Sequence, residues 1–412
     1  MNKHISILNI TILATILTIS LARGLDSMHE WALSNWWLSY DMGFIKRGLP
    51  GSVIDLIQDL TSTPDTGRND IIGAAAWLIL LLEAGCLLYI GKEIISRNHN
   101  SGWAICLVSA YMASPAITMT SNLIGYYDHI ITIFCIMALL LCMQSKVLTA
   151  GLVTAGSMLV HETTLTNTLP LLILCITAIY IQDQTTTLQK YTKAILMVSA
   201  PAIIVFIFLL INQQSLIDED IKTNIIKKLS SNLPQNTERA TYYANMLTYP
   251  FNDYLREELP KFWGRITDST YLTSIAPFLF TTYCLVWKAI NPFRFRAALY
   301  LIFILASIAP LSLHLIAFDT ERIWCMPITS TLIALWILSH FGYLQPVAHD
   351  YRFFTQLFLI LLVYYCTLRP FGMMPADIQL FTSDLVQLYG LPILYLCWVT
   401  SRPFPKASTN DT

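Results

Sequence analysis

Residues 194–212 read AILMVSAPAIIVFIFLLIN, nineteen consecutive positions without a charge. A helix rises about 1.5 Å per residue, so about 20 apolar residues span the hydrocarbon of a bilayer. Apolar blocks of comparable length recur along the chain. Of its 412 residues, 55% are hydrophobic and 12% charged, with a mean hydropathy of +0.55. A soluble domain carries about 25% charged residues, and a chain with half that share cannot cover a water-facing surface of this size. The fold class expected is therefore an all-α polytopic membrane protein. The same pattern excludes a secreted enzyme, a nucleic-acid-binding domain and an outer-membrane barrel, whose short alternating strands are absent.

Apolar windows predict about twelve transmembrane helices within one domain, 1–412, near 5–22, 71–91, 102–121, 128–145, 147–161, 163–182, 194–212, 270–288, 298–318, 323–341, 353–368 and 385–400. Two near-continuous stretches are divided at Gly125-Tyr-Tyr-Asp-His129 and at His161-Glu162, because a charge at mid-bilayer costs about 2.5–3.5 kcal/mol even on lenient scales. Two loops are long and polar, 23–70 and 213–269. Basic residues set orientation mainly through short loops. With the N-terminus inside, the short outer connections keep only Arg322 and Arg369, so both termini are expected on the cytoplasmic side. The acids sort the other way: Glu93, Asp183, Asp350 and Asp411 fall inside, Glu83 falls within a span, and the others lie outside. The basic, apolar start Met1 to Ala22 lacks a small-x-small exit and reads as a retained first helix rather than a cleaved signal. Nine cysteines, none in a CxxC pair, read as small buried hydrophobes without disulfides or a thiolate metal site.

Four polar clusters fall on the expected outer face. The first outer loop holds Asp26, His29 and Glu30, then an aromatic stretch with Trp31, Trp36 and Trp37, then Asp41 and the turn Lys46-Arg47-Gly48-Leu-Pro50-Gly51. Its apolar periodicity predicts amphipathic helices lying in the headgroup layer. The planar fork of Arg47 beside Lys46 and glycines suits a phosphate, or else anchors ordinary anionic headgroups. Asp41 is a candidate base, with a helix cap or an ion pair to Arg47 as the plain alternative. Asp128-His129 opens the fourth span, and adjacent helical residues point in different directions. His161-Glu162 joins two apolar runs and is not the HExxH zinc motif, since the fifth position is Leu165. Asp319 and Arg322 are spaced to pair on one helical face and to hold a phosphate or sugar. Glu83 sits inside the second span, where a carboxylate is either a proton carrier or a partner for a neighbouring helix. The 213–269 loop, with Tyr242, Tyr243, Phe251, Tyr254, Phe262 and Trp263, predicts a small helical cap.

This layout resembles the GT-C superfamily of integral-membrane glycosyltransferases: an N-in start, acids after the first span, an aromatic amphipathic first loop and a long later outer loop. The segment Asp41-Met-Gly-Phe-Ile-Lys-Arg47-Gly48-Leu-Pro-Gly51 is similar to one in unassigned bacterial membrane proteins of that kind. The resemblance implies transfer of a sugar from a polyprenyl-phosphate lipid to a glycan or lipid acceptor, on the outer face of a bacterial inner membrane, with no nucleic-acid partner. It implies a catalytic carboxylate at Asp41 or Asp26, although the tandem Asp-Glu usual after the first span is missing here. Lys46, Arg47 and Arg322 would stabilise the leaving phosphate. Asp128, His129, His161 and Glu162 would line the sugar pocket or hold a divalent metal ion, and Asp319 would orient Arg322 on the substrate. The rival expectations are a transporter or flippase for a lipid-linked or small anionic substrate, and a non-catalytic subunit of envelope-polysaccharide assembly.

Overall fold

The computed structural model describes residues 3–99, 101–183, 187–215, 219–232, 237–290, 295–317, 319–344 and 351–367. Among them all regular structure is helical, with one isolated bridge between Ile290 and Leu344. Among the described residues, seven helices are long and apolar enough to cross a membrane: Ile7–Gly24, Arg68–Arg97, Gly102–Asn122, Thr164–Gln182, Leu188–Asn212, Arg296–Leu315 and Thr320–His340. Asp128–Met143, Val147–Val160 and Phe353–Tyr365 are apolar but shorter. The twelve expected spans are thus met in part, and the one placed at 385–400 lies outside the described residues. Gly102–Asn122 is broken where Ser114-Pro115 starts a new helix, as proline favours a first-turn position.

Burial separates the helices by role. Gly102–Asn122 and Thr320–His340 are enclosed by protein over most of their length, whereas Leu188–Asn212 keeps a largely open apolar surface, as a lipid-facing helix does. The core between them is filled by Trp103, Tyr111, Phe278, Phe303, Trp336 and Phe358. Val147–Val160 packs closely on Leu188–Ser215 because residue 151 is glycine: a Cβ there would overlap the carbonyl oxygen of Met197.

The two long loops fold onto each other. The first contributes Glu30–Trp36 and Gly48–Thr61; the second contributes Glu219–Asn232, Thr237–Thr248, Phe251–Glu258 and Phe262–Ile266. They share one apolar cluster, in which Trp36, Leu38 and Ile54 meet Ile225, Leu229, Ala244 and Leu247. The Trp31 and Tyr243 rings meet edge-on at 4.5 Å, and Arg239 pairs with Glu30 at 2.6 Å. Gly48–Thr61 buries Ile54 and Gly51 but leaves Val53, Leu56 and Leu60 open, an apolar stripe suited to the membrane interface. Arg68 ties this segment to the long helix that follows. Its guanidinium reaches Asp55, Gln58 and the Trp36 carbonyl while lying 4.6 Å from the Trp37 ring centroid.

Candidate functional site

Beneath the paired loops, a turn and three helix starts converge. The chain leaves Tyr40–Met42 through Gly43 at φ 102° and brings Arg47 to φ 64°, directly before Gly48–Thr61. A residue with a β-carbon in the left-handed region costs about 1–2 kcal/mol. Arg47 offsets this with a two-pronged grip on Glu162, Nη2 donating to Oε1 at 2.6 Å and Nε to Oε2 at 3.3 Å. Burial raises the Glu162 carboxyl, but the charges of Arg47 and its neighbours together with the Arg47 hydrogen bond outweigh it and hold the group well below the usual range. The side chain still keeps 25% of its surface open. Lys46 lies with Nζ 5.4 Å from the Tyr254 ring centroid. Burial lowers its ammonium to about 8; Glu162 opposes that shift and Arg47 adds to it.

His161 ends Val147–Val160 in an extended conformation, and its Nδ1 accepts the Thr163 backbone N–H at 3.1 Å. Burial, then the Arg47 charge, push its imidazole down to about 3, so the ring is neutral near pH 7. The 3.4 Å approach of that Nδ1 to Glu162 is accordingly not an ion pair. Arg322, in the first turn of Thr320–His340, stands 3.3 Å from Asp319 and 3.6 Å from Asp128, the first residue of Asp128–Met143. Its guanidinium lies 5.5 Å from the Tyr126 ring centroid. Both helices thus direct their N-termini, which carry partial positive charge, towards these groups.

Lys46, Arg47, His161, Glu162, Asp319 and Arg322 line a single cavity of about 400 Å³. This falls within the size of small-molecule sites, about 300–1,000 Å³. Its other walls are apolar: Phe206, Leu209 and Leu210 from Leu188–Ser215, and Leu313, Leu315 and Ile316 from the segment before Asp319. Arg322 also borders a smaller cavity of about 70 Å³ together with Asp128, Glu83 and His129. There His129 Nδ1 lies 2.6 Å from Glu83 Oε2, and Nε2 lies 2.9 Å from the Leu123 carbonyl oxygen.

The eight residues expected to bind substrate therefore gather around two adjoining cavities, together with Glu83. The two carboxylates expected to act as the base do not. Asp26 is exposed and accepts the Ser27 backbone N–H. Asp41 lines a separate polar groove with Asp55, Asp59 and Lys228. Burial alone would raise its carboxyl, but bonds from Ser39 and Lys228 and the Lys228 charge hold it below the usual range, which makes it a weaker base. The alternative considered for Asp41, an ion pair to Arg47, is not formed either; its partner is Lys228 at 3.0 Å. A divalent ion does not fit the expected donors, since His129 has both nitrogens engaged. Among the described residues, no three His, Cys, Asp or Glu side chains are grouped to hold a metal. Pattern reading did not connect Glu83 to His129, 46 positions apart, nor assign a role to Arg68. The only signal for the former was that a lone carboxylate inside an apolar run needs a partner. Comparison with family models, with curated proteins and with solved structures gives no match to this chain.

Proposed function

We propose that the protein is a membrane glycosyltransferase. It moves a sugar from a polyprenyl-phosphate donor to a glycan or lipid acceptor at the outer face of a bacterial inner membrane, with both termini cytoplasmic. The observation that carries this reading is the two-sided cavity. Lys46, Arg47 and Arg322 stand at its polar end, and its apolar walls include Phe206, Leu209 and Leu210 of a helix whose apolar surface is largely open. A ligand matching both parts is an anionic headgroup on a hydrocarbon chain. Arginine and lysine at the departing phosphate stabilise charge that develops during transfer. The base that deprotonates the acceptor hydroxyl must reach the same cavity, where the carboxylates are Glu162 and Asp319. Glu162 is committed to Arg47 by two bonds, so Asp319 takes the role.

The test is mass spectrometry of envelope glycans and lipid-linked sugars in a deletion strain and its complements. One sugar should be missing in the deletion, restored by the wild type and by Asp41→Asn, and not restored by Asp319→Asn or Arg47→Ala at normal protein level. An unchanged profile in the deletion, or full restoration by Asp319→Asn, would overturn the reading. A transporter or flippase is the second reading, favoured by one observation: Glu83 and His129 are paired midway along Arg68–Arg97, where transport pathways place ionisable groups. It would be supported if the lipid-linked sugar accumulated in the deletion strain with all its sugars present.

A further inference from the structure

The charges that line the two adjoining cavities cancel. Lys46, Arg47 and Arg322 face Glu162, Asp319 and Asp128. Glu83 and His129 add nothing to this balance. The Leu123 carbonyl can only accept, which fixes a proton on His129 Nε2, and a second proton lies between Nδ1 and the Glu83 carboxyl. Whichever of the two groups holds it, the pair is neutral. His161 is neutral through its Nδ1 bond to Thr163. An anionic headgroup arriving here would leave an enclosed site with one negative charge too many, which costs heavily in a low dielectric.

The geometry shows where the imbalance would fall. Arg322 is shared by Asp319 and Asp128, while Asp128 Oδ1 and Arg322 Nε are buried without hydrogen-bond partners among the described residues. Asp319 borders the larger cavity and keeps 28% of its side chain open, so it can rehydrate. Asp128 borders only the smaller one and keeps 19%. The other titratable groups facing Asp128 and Arg322 are Tyr126 in the preceding loop, Glu162 and His161 from their connection, and Glu83 with His129 below. Each of these either has its own partner or is neutral. Building on the lipid-phosphate reading of the cavity, we propose that an anionic headgroup binds together with a proton, which Asp128 takes when the headgroup draws Arg322 towards itself. The small cavity can hold a few waters, with Asp128 Oδ1 and Arg322 Nε among their partners, and so gives Asp128 contact with mobile protons.

The test is calorimetry of dihexyl phosphate binding to the full-length protein in detergent at pH 7, in two buffers of different ionisation enthalpy. This probe is a phosphodiester that stays monoanionic across the range. The expected result is uptake of a substantial fraction of one proton per molecule bound, with affinity falling as pH rises from 6 to 8. Asp128→Asn should bind at least as tightly as wild type at pH 8, with the uptake gone and the pH dependence flattened; a misfolded variant would bind more weakly. Binding without proton uptake, or binding that instead requires sodium or magnesium, would overturn the proposal and leave the lipid-phosphate reading intact. No binding of dihexyl phosphate at any pH would overturn both.

Discussion

Lys46 is the cavity cation whose charge is most open to control. Its ammonium is lowered to about 8, first by burial and then by Arg47, so it is charged at pH 7 and neutral at pH 9. Capture of an anion needs the charged form, so affinity for dihexyl phosphate should weaken above pH 8, approaching tenfold per unit. Lys46→Arg should keep its affinity level from pH 8 to 10, because guanidinium stays protonated. A wild-type affinity that is flat above pH 8 would remove Lys46 from the phosphate end. The identity of such residues was legible because charge in so apolar a chain is costly and therefore placed for a reason. Their partners were not. Arg47 and Glu162 are 115 positions apart, and no local period reports which turn of one segment meets another. Asp41 shows the converse: it looked continuous with Lys46 and Arg47, yet the turn at Tyr40–Met42 and Gly43 sends it to the Lys228 side.

At the scale of elements, the cavity wall depends on how closely Val147–Val160 approaches Leu188–Ser215. A larger residue at 151 would collide with the Met197 carbonyl and push the helices apart. Overpacking of this kind costs about 1–3 kcal/mol. Gly151→Leu should therefore lower the midpoint of thermal unfolding in detergent and weaken dihexyl phosphate binding, because Phe206, Leu209 and Leu210 belong to the displaced helix. Unchanged stability and affinity would mean that the wall does not depend on this contact. Most membrane-embedded elements were readable from apolar run length alone. The division of 102–121 at Ser114-Pro115 was missed because proline at a helix start leaves the apolar run unbroken. The 71–91 span was read short: the helix extends to Arg68–Arg97, its ends held by ion pairs from Arg68 to Asp55 and from Arg97 to Glu93.

For the whole molecule, sequence placed two long polar loops on the same side without indicating that they touch. Their shared cluster and the Glu30–Arg239 and Asp41–Lys228 ion pairs join them into a single cover over the helix starts. Apolar patterning predicts a buried face on each loop but does not specify what covers it, and that is why the contact was not legible. The arrangement fixes topology as a unit. Single cysteines at Glu30, Arg239 and Asp41, in a background without reactive cysteines, should all be modified from the outer face of intact membranes by a bulky impermeant maleimide. A cysteine replacing Lys146, on the opposite connection, should react only after permeabilisation. Modification of positions 30 and 239 from opposite sides would break the fold described here.

One further detail concerns the wall helix itself. Pro201 lies inside Leu188–Ser215 and has no N–H to offer the carbonyl four residues earlier, which is that of Met197. The oxygen left idle by the proline is therefore the one that comes to rest against Gly151, where the neighbouring helix presents no side chain to obstruct it. The segment after Pro201, which carries the cavity-lining Phe206, Leu209 and Leu210, is attached to the segment before it by one ladder bond fewer than an uninterrupted helix would have. The bonding of the helix is thus weakest at the level of the glycine contact, directly before the stretch that walls the cavity.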